Sequence, residues 1–194
     1  MTLNVRSVAV FCGSRTGHDP AYSQEAVRAG ELLARHGVRL IYGGGANGLM
    51  GIVADATIRA GGSVTGIIPE FLKTREKMHE QVSELIVTTS MHERKQIMFA
   101  KADAFWILPG GFGTFDEMME ILTWRQLGRH DKPILLVNVG GWGDCVVAML
   151  DAAVRQGFAS AEARALLVSV PDVETALSLS GRAHDGVELP MDVL

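Results

Sequence analysis

Basic residues are in short supply in this chain: 18 Lys and Arg stand against 22 Asp and Glu, a formal charge of −4. A nonspecific nucleic-acid binder needs the opposite balance, because its affinity comes from cations laid along a phosphate backbone. A local cationic pocket for one small phosphate stays open. Cysteine is scarcer still. Cys12 and Cys145 lie far apart, each in an apolar context, so two buried free thiols are expected and no disulfide. The six histidines never pair at i, i+3 or i+4 around an acid, and no zinc spacing exists. Neither a metal nor a cofactor is expected.

Long apolar runs are missing too. No stretch approaches the roughly 18 residues that a membrane span needs. The opening "MTLNVRSVAVFCGSR" reaches glycine before it could form a signal-peptide core. A soluble, cytoplasmic protein is expected, bound neither to membrane nor to nucleic acid.

What is present is ordinary globular material: 194 residues, 47% apolar and 21% charged, enough for one well-filled core. Short apolar strands alternate with helical patterns. Strands are expected at 7–12, 38–42, 63–69, 83–89, 104–109, 132–139 and 166–170. Helices are expected at 21–37, 49–61, 91–102, 114–128, 143–158 and 173–180, several closed by glycine. Residues 70–82 fit no pattern. Strands apolar on both faces belong to a parallel sheet covered by helices on both sides. Right-handed crossovers make this a Rossmann-like, doubly wound α/β fold. A single domain is expected over residues 1–180, with a loose tail at 181–194.

Ligands of such sheets bind beyond the carboxyl ends of the strands. Three glycine loops fall there: Gly13-Ser14, Gly43 to Gly48, and Gly110 to Gly113. They make Ser14 and Gly44 candidate contacts. "YGGGANGLMG" meets G-x-G-x-x-G at Gly43, Gly45 and Gly48, with Glu70 near the distance of a ribose-binding acid. That fingerprint belongs to a first βα unit, and this is the second, so NAD is discounted. Tight turns and close helix–strand packing explain the glycines about as well.

"LPGGFGTFDE" (108–117) is the richest stretch. Gly110, Gly111 and Gly113 are expected to free the backbone for positive φ and bare its amides. Thr114 then opens a helix whose positive end would receive a phosphate. A rival reading is a capping box, Thr114 bonding the amide of Glu117 while the glutamate reaches back, with Asp116 merely favouring the helix dipole. Capping does not require three glycines. In "SMHERK" (90–95), Ser90 or His92 begins a helix that carries Arg94 and Lys95 into the same crevice.

These two segments resemble the Lonely Guy (LOG) family of cytokinin-activating phosphoribohydrolases, long labelled possible lysine decarboxylases. The family pattern P-G-G-x-G-T-x-x-E is met in full from Pro109 to Glu117. An Arg-Lys pair behind a Met-His is met at Met91-His92-Glu93-Arg94-Lys95. "GGGANGLMG", "TWRQLG" and "DKPILLVN" extend the likeness to about Pro171. The resemblance implies hydrolysis of the N-glycosidic bond of AMP or an N6-substituted adenosine 5′-monophosphate, giving free base and ribose 5-phosphate. It implies Arg94 and Glu117 as catalytic residues. Substrate contacts would fall on Glu76, Lys95, Gly110, Gly111, Phe112, Gly113, Thr114, Phe115, Asp116 and Thr123. It also implies a homodimer, which the apolar width of the helix carrying Met118, Met119, Ile121, Leu122 and Trp124 suits. The decarboxylase label finds no Schiff-base lysine motif here. A carrier that binds a nucleotide or cofactor without cleaving it is the alternative, and it would not need Arg94 beside Glu117. A weaker third reading is an NAD-dependent enzyme resting on Gly43 to Gly48.

Overall fold

A computed structural model describes residues 4–74 and 76–181. The expected tail therefore lies, beyond Gly181, outside the described residues. Seven strands form one parallel sheet in the order β4-β3-β2-β1-β5-β6-β7. They are β1 (Ser7–Phe11), β2 (Arg39–Tyr42), β3 (Val64–Pro69), β4 (Glu84–Thr88), β5 (Ala104–Ile107), β6 (Ile134–Val137) and β7 (Leu167–Val170). The helices are α1 (Pro20–Arg35), α2 (Gly48–Arg59), α3 (Met91–Lys101), α4 (Phe112–Gln126), α5 (Asp144–Arg155), α6 (Ala161–Ala165) and α7 (Val173–Ser180). The doubly wound α/β fold is as expected. Residues 70–82, unassigned from sequence, contain one short 3₁₀ turn at Glu70–Leu72, and the five-residue α6 escaped notice.

Period-two alternation in the central strands builds a core on each face of the sheet. Val8 and Val10 of β1, Leu40 and Tyr42 of β2, and Trp106 of β5 pack with α1, α2 and α7. Ala9 and Phe11, Ile41, and Phe105 and Ile107 point the other way, onto Met98 and Phe99 of α3, Met118, Ile121 and Leu122 of α4, and Val146 of α5. The last helix is tied back to the first half. Buried Glu25 of α1 accepts from the Val173 amide at 2.8 Å, and Trp106 Nε1 donates to Ser180 Oγ at 2.9 Å. Cys12 is buried as expected. Cys145 is not: it sits exposed on α5, a helix whose apolar stripe is narrow enough to leave it facing out.

This strand order fixes where a ligand can enter. The chain winds outward from β1 to β4, then returns to the other side of β1 to lay down β5. Crossovers diverge at that point, and the crevice opens between the loops that follow β1 and β5.

Candidate active site

The loops at the switch point are fastened to one another by backbone. The Gly13 amide donates to Pro109 O at 3.0 Å, joining the exits of β1 and β5. Gly13 O in turn accepts from the amides of Leu49 and Met50 at 3.0 and 3.3 Å, drawing the head of α2 against the β1 loop. Gly48 lies there with φ of 59°, and a Cβ on it would strike the backbone of Ser14 and Arg15. Ser14 itself is exposed at the mouth.

The G-x-G-x-x-G stretch faces inward. A side chain at Gly43 would collide with the Arg94 guanidinium, and one at Gly45 would press on Met50 and Glu76. Gly44 is buried with φ of 77°, and its carbonyl accepts from the His79 amide at 3.0 Å. These glycines serve close packing, the plainer of the two readings that the pattern allowed.

The head of α4 differs from expectation in two respects. The helix starts at Phe112, not Thr114, with Gly111 as N-cap and no side-chain cap. Thr114 is thus inside the first turn, buried, with its hydroxyl against Gly110, where a Cβ would overlap it. The capping box is absent because both of its members already lie within the helix. Nor do Gly110, Gly111 and Gly113 take positive φ. Their absence of side chain matters for space instead: a Cβ on Gly111 or Gly113 would meet nothing within 4 Å. The first intrahelical bond runs from Phe115 N to Gly111 O. The amides of Gly111 to Thr114 precede it at the positive end of a 15-residue helix, with open space beside Gly111 and Gly113.

A capping arrangement does exist, on α3. Ser90 Oγ accepts from the Glu93 amide at 3.1 Å, and Glu93 Oε2 accepts from Thr89 N and Oγ1 at 2.7 and 2.8 Å. With Glu93 so engaged, Arg94 turns inward and is 4% exposed. Its Nη2 donates to Gly43 O at 3.1 Å and lies 3.8 Å from Glu76 Oε2. That second contact is an ion pair without a hydrogen bond. Arg94 Nε and Glu76 Oε2 are both buried without a hydrogen-bond partner. Lys95 bridges to α4, 2.8 Å from Glu120 and 3.2 Å from Asp116. The Arg-Lys pair is therefore part of the interior of the crevice and not a solvated face.

Glu117 sits one turn into α4 and is buried. Loss of hydration pushes its carboxyl up to about 7; Arg94 and Lys95 oppose the rise, while Glu76 and Asp116 add to it. Burial, reinforced by the Glu117 charge, also raises the neighbouring Cys12 thiol well above its ordinary range. A carboxylate of this kind, near a guanidinium and only 9% exposed, can exchange a proton near neutrality.

Other expected contacts are distributed unevenly. Phe115 is half-buried and stacks on Trp142 at 5.8 Å, a partner that sequence reading did not find. Phe112 is 91% exposed. Thr123 lies on the outward side of α4, its hydroxyl donating to Met119 O at 2.7 Å. Sequence reading also missed the Gly43 carbonyl that holds Arg94, and the buried His79. Among the described residues no cluster of His, Cys, Asp or Glu could hold a metal, and no helix is long and apolar enough to cross a membrane.

A family model described as "Possible lysine decarboxylase" matches residues 50–179. The cytokinin riboside 5′-monophosphate phosphoribohydrolase LOG2 of Arabidopsis thaliana is 44% identical, over 90% of this chain and 82% of its own length. The rice enzyme of that name, LOG from Oryza sativa subsp. japonica, is 45% identical over 86% of this chain and 69% of its own. Among solved structures, the molybdenum cofactor carrier protein of Chlamydomonas reinhardtii superposes with a TM-score of 0.66 at 21% identity, covering 89% of this chain and 93% of that one. DNA processing protein A of Helicobacter pylori reaches 0.58 at 12% identity, over 92% and 81%. At such identities the two structures share a fold with this chain, and a fold alone does not specify an activity.

Proposed function

Because this chain belongs to the family described as possible lysine decarboxylases, whose curated members above are phosphoribohydrolases, we propose that it hydrolyses AMP or an N6-substituted adenosine 5′-monophosphate to free base and ribose 5-phosphate. The observation that carries the reading is Glu117: a buried carboxyl raised to about 7, beside Arg94, one turn from a set of open amides.

The chemistry follows from that placement. The substrate phosphate docks on the amides of Gly111 to Thr114, where backbone N–H groups and the helix dipole both favour an anion. Open space over Gly111 and Gly113 lets it approach the main chain. The phosphate's binding energy fixes the ribose over Glu117, so a nucleoside without it is a poor substrate. As the C1′–N9 bond breaks, its electron pair leaves on the base and positive charge builds on the ribose. Ionised Glu117 stabilises that charge and takes a proton from the water whose oxygen adds to C1′; a proton returned through solvent neutralises the departed base and leaves Glu117 ionised again. Arg94 opposes the rise of the Glu117 carboxyl and pairs with Glu76 at 3.8 Å. No cofactor takes part, and the sequence carries no motif for the Schiff-base lysine that a decarboxylase would need.

The working unit is a homodimer formed through the outward face of α4. Phe112, Met119 and Leu127 leave that face apolar and 91%, 37% and 67% exposed. Thr123 shares it, and reaches substrate from there only across such an interface. The enzyme and its nucleotide are placed in the cytoplasm.

Purified protein incubated with AMP or N6-isopentenyladenosine monophosphate should release free base, read by chromatography. No base from any nucleoside monophosphate would overturn the reading. Tight binding with no product would leave a carrier instead.

A further inference from the structure

Residues 76–82 bring Glu76 to Arg94 without a helix or strand of their own. Two backbone attachments hold them. The Ala46 amide donates to Glu76 O and Lys77 O at 3.3 and 2.8 Å, and the His79 amide donates to Gly44 O at 3.0 Å. The third attachment is a side chain. His79 is buried, and its Nε2 lies 2.9 Å from Oδ1 of Asp55 on α2. The Gln81 amide points at His79 Nδ1, 3.3 Å away. Nδ1 therefore accepts, the proton resides on Nε2, and the ring donates to Asp55.

Between Glu76 and His79, Lys77 has φ of 51°, the one positive value at a non-glycine among the described residues. A left-handed residue costs about 1 kcal/mol or more and persists only where both flanks are fixed. The Glu76 flank is held through its backbone, its amide donating to Leu72 O at 2.8 Å and its carbonyl accepting from Ala46 at 3.3 Å, while its carboxylate has only an ion pair without a hydrogen bond. The other ends at His79. Loop 43–46 also connects the two groups, since Gly43 O holds Arg94 while Gly44 and Ala46 hold the Glu76 segment.

We propose that His79, clamped by Asp55, is a positioning residue that keeps Glu76 seated against Arg94 in the substrate crevice. Neither His79 nor Asp55 touches the reacting atoms in this scheme. Its kinetic form rests on the phosphoribohydrolase reading; its structural form does not.

Removing His79 could unfold its segment, so the test acts on Asp55, whose side chain is 54% exposed. Asp55→Ala loses the acceptor. Asp55→Asn keeps an acceptor oxygen and discards the charge. Hydrolysis of AMP should fall on the order of tenfold in kcat/KM for Asp55→Ala and recover in Asp55→Asn. In a Glu76→Gln background Asp55→Ala should cost nothing further. An equal loss with and without Glu76, or no loss in either, overturns the proposal.

A second readout does not depend on turnover. Glu117 is faced by Arg94 and Lys95 of α3, Glu76, Asp116 of its own helix, and Cys12 at the end of β1. Unseating Glu76 removes a repelling charge and frees Arg94, so carboxyl NMR should show the Glu117 titration moving down in Asp55→Ala and Glu76→Gln alike, but not in Asp55→Asn. If wild-type protein cleaves no monophosphate, the functional reading fails while this titration still decides the positioning role. An unmoved Glu117 in Asp55→Ala refutes it.

Discussion

Two glycine-rich exits from parallel strands flank the end of β1, 43–48 after β2 and 110–113 after β5, and they do opposite things. A side chain at 43, 45 or 48 would meet Arg94, Met50, Glu76 or the Ser14 backbone. One at 111 or 113 would meet nothing. At 43, 45 and 48 the first loop lacks side chains because protein fills the space. At 111 and 113 the second lacks them although the space is open, and bare amides at a helix start are suited to a phosphate. A fingerprint count treats the loops alike; what a Cβ would touch separates them.

The largest expected effect falls on the acid that the open loop serves. Glu117→Gln keeps the shape of the side chain and removes its charge. Turnover of AMP should drop at least about 10³-fold, as for loss of a group acting on transition-state charge, while KM or the dissociation constant moves little. Single-turnover kinetics with a binding titration would separate the two. Retention of more than a tenth of the activity would remove Glu117 from its role.

Alanine substitutions test the comparison directly. Gly48→Ala places a Cβ against backbone at φ of 59° and should cost roughly 2–4 kcal/mol, seen as a fall in Tm. Gly111→Ala should leave Tm nearly unchanged and raise KM for AMP by about tenfold, because the Cβ stands where the anion approaches. Equal behaviour of the two variants would dissolve the distinction between the loops.

Much of this was legible in the sequence, for physical reasons that also mark where legibility ends. Central strands buried on both faces announce themselves as short apolar runs, and β1, β2, β3 and β5 start within a residue of expectation. Residues 70–82 were illegible because their order is tertiary: the bridge from Gly45 to Met78 and the bond from His79 to Asp55 span tens of residues. The start of α4 was misjudged by two residues. Thr114 has the chemistry of an N-cap, but the Gly13–Pro109 bond and the packing of Thr114 over Gly110 set the helix off earlier. Glycines, acids and the Arg-Lys pair were visible as candidates. Their meeting in one crevice followed from the strand ends; what holds Arg94 there did not, since it reaches Glu76 while bonded to the Gly43 carbonyl, a group that any residue supplies.

A smaller effect concerns the acid limb of the pH profile. In the proposed mechanism ionised Glu117 is the working form, so kcat/KM should rise with pH up to about 7. The substrate monophosphate titrates near 6 and can mimic such a limb. Arg94→Gln separates them. Without the guanidinium the Glu117 titration moves up, on the order of one unit, and the limb follows it; a limb set by phosphate would stay. Residual activity of Arg94→Gln between pH 6 and 9 gives the answer.

The smallest effect is on stability. The Glu117 carboxyl titrates at about 7 in the folded chain against an ordinary 4.5. Between those values the folded state holds a proton that the unfolded state has lost. Stability from this group is therefore full below about 4.5 and is lost as pH rises through 7. The loss is at most about 3 kcal/mol. Gln does not titrate, so Glu117→Gln escapes it, but its amide must still be buried and hydrogen-bonded. A net gain of about 1 kcal/mol is expected at pH 8, some 2–4 °C in Tm for a chain of this size, with almost none at pH 5. Thermal melts at the two pH values measure it. A gain of equal size at both would mean that packing, and not the charge confined beside the open loop, sets the cost of keeping Glu117 there.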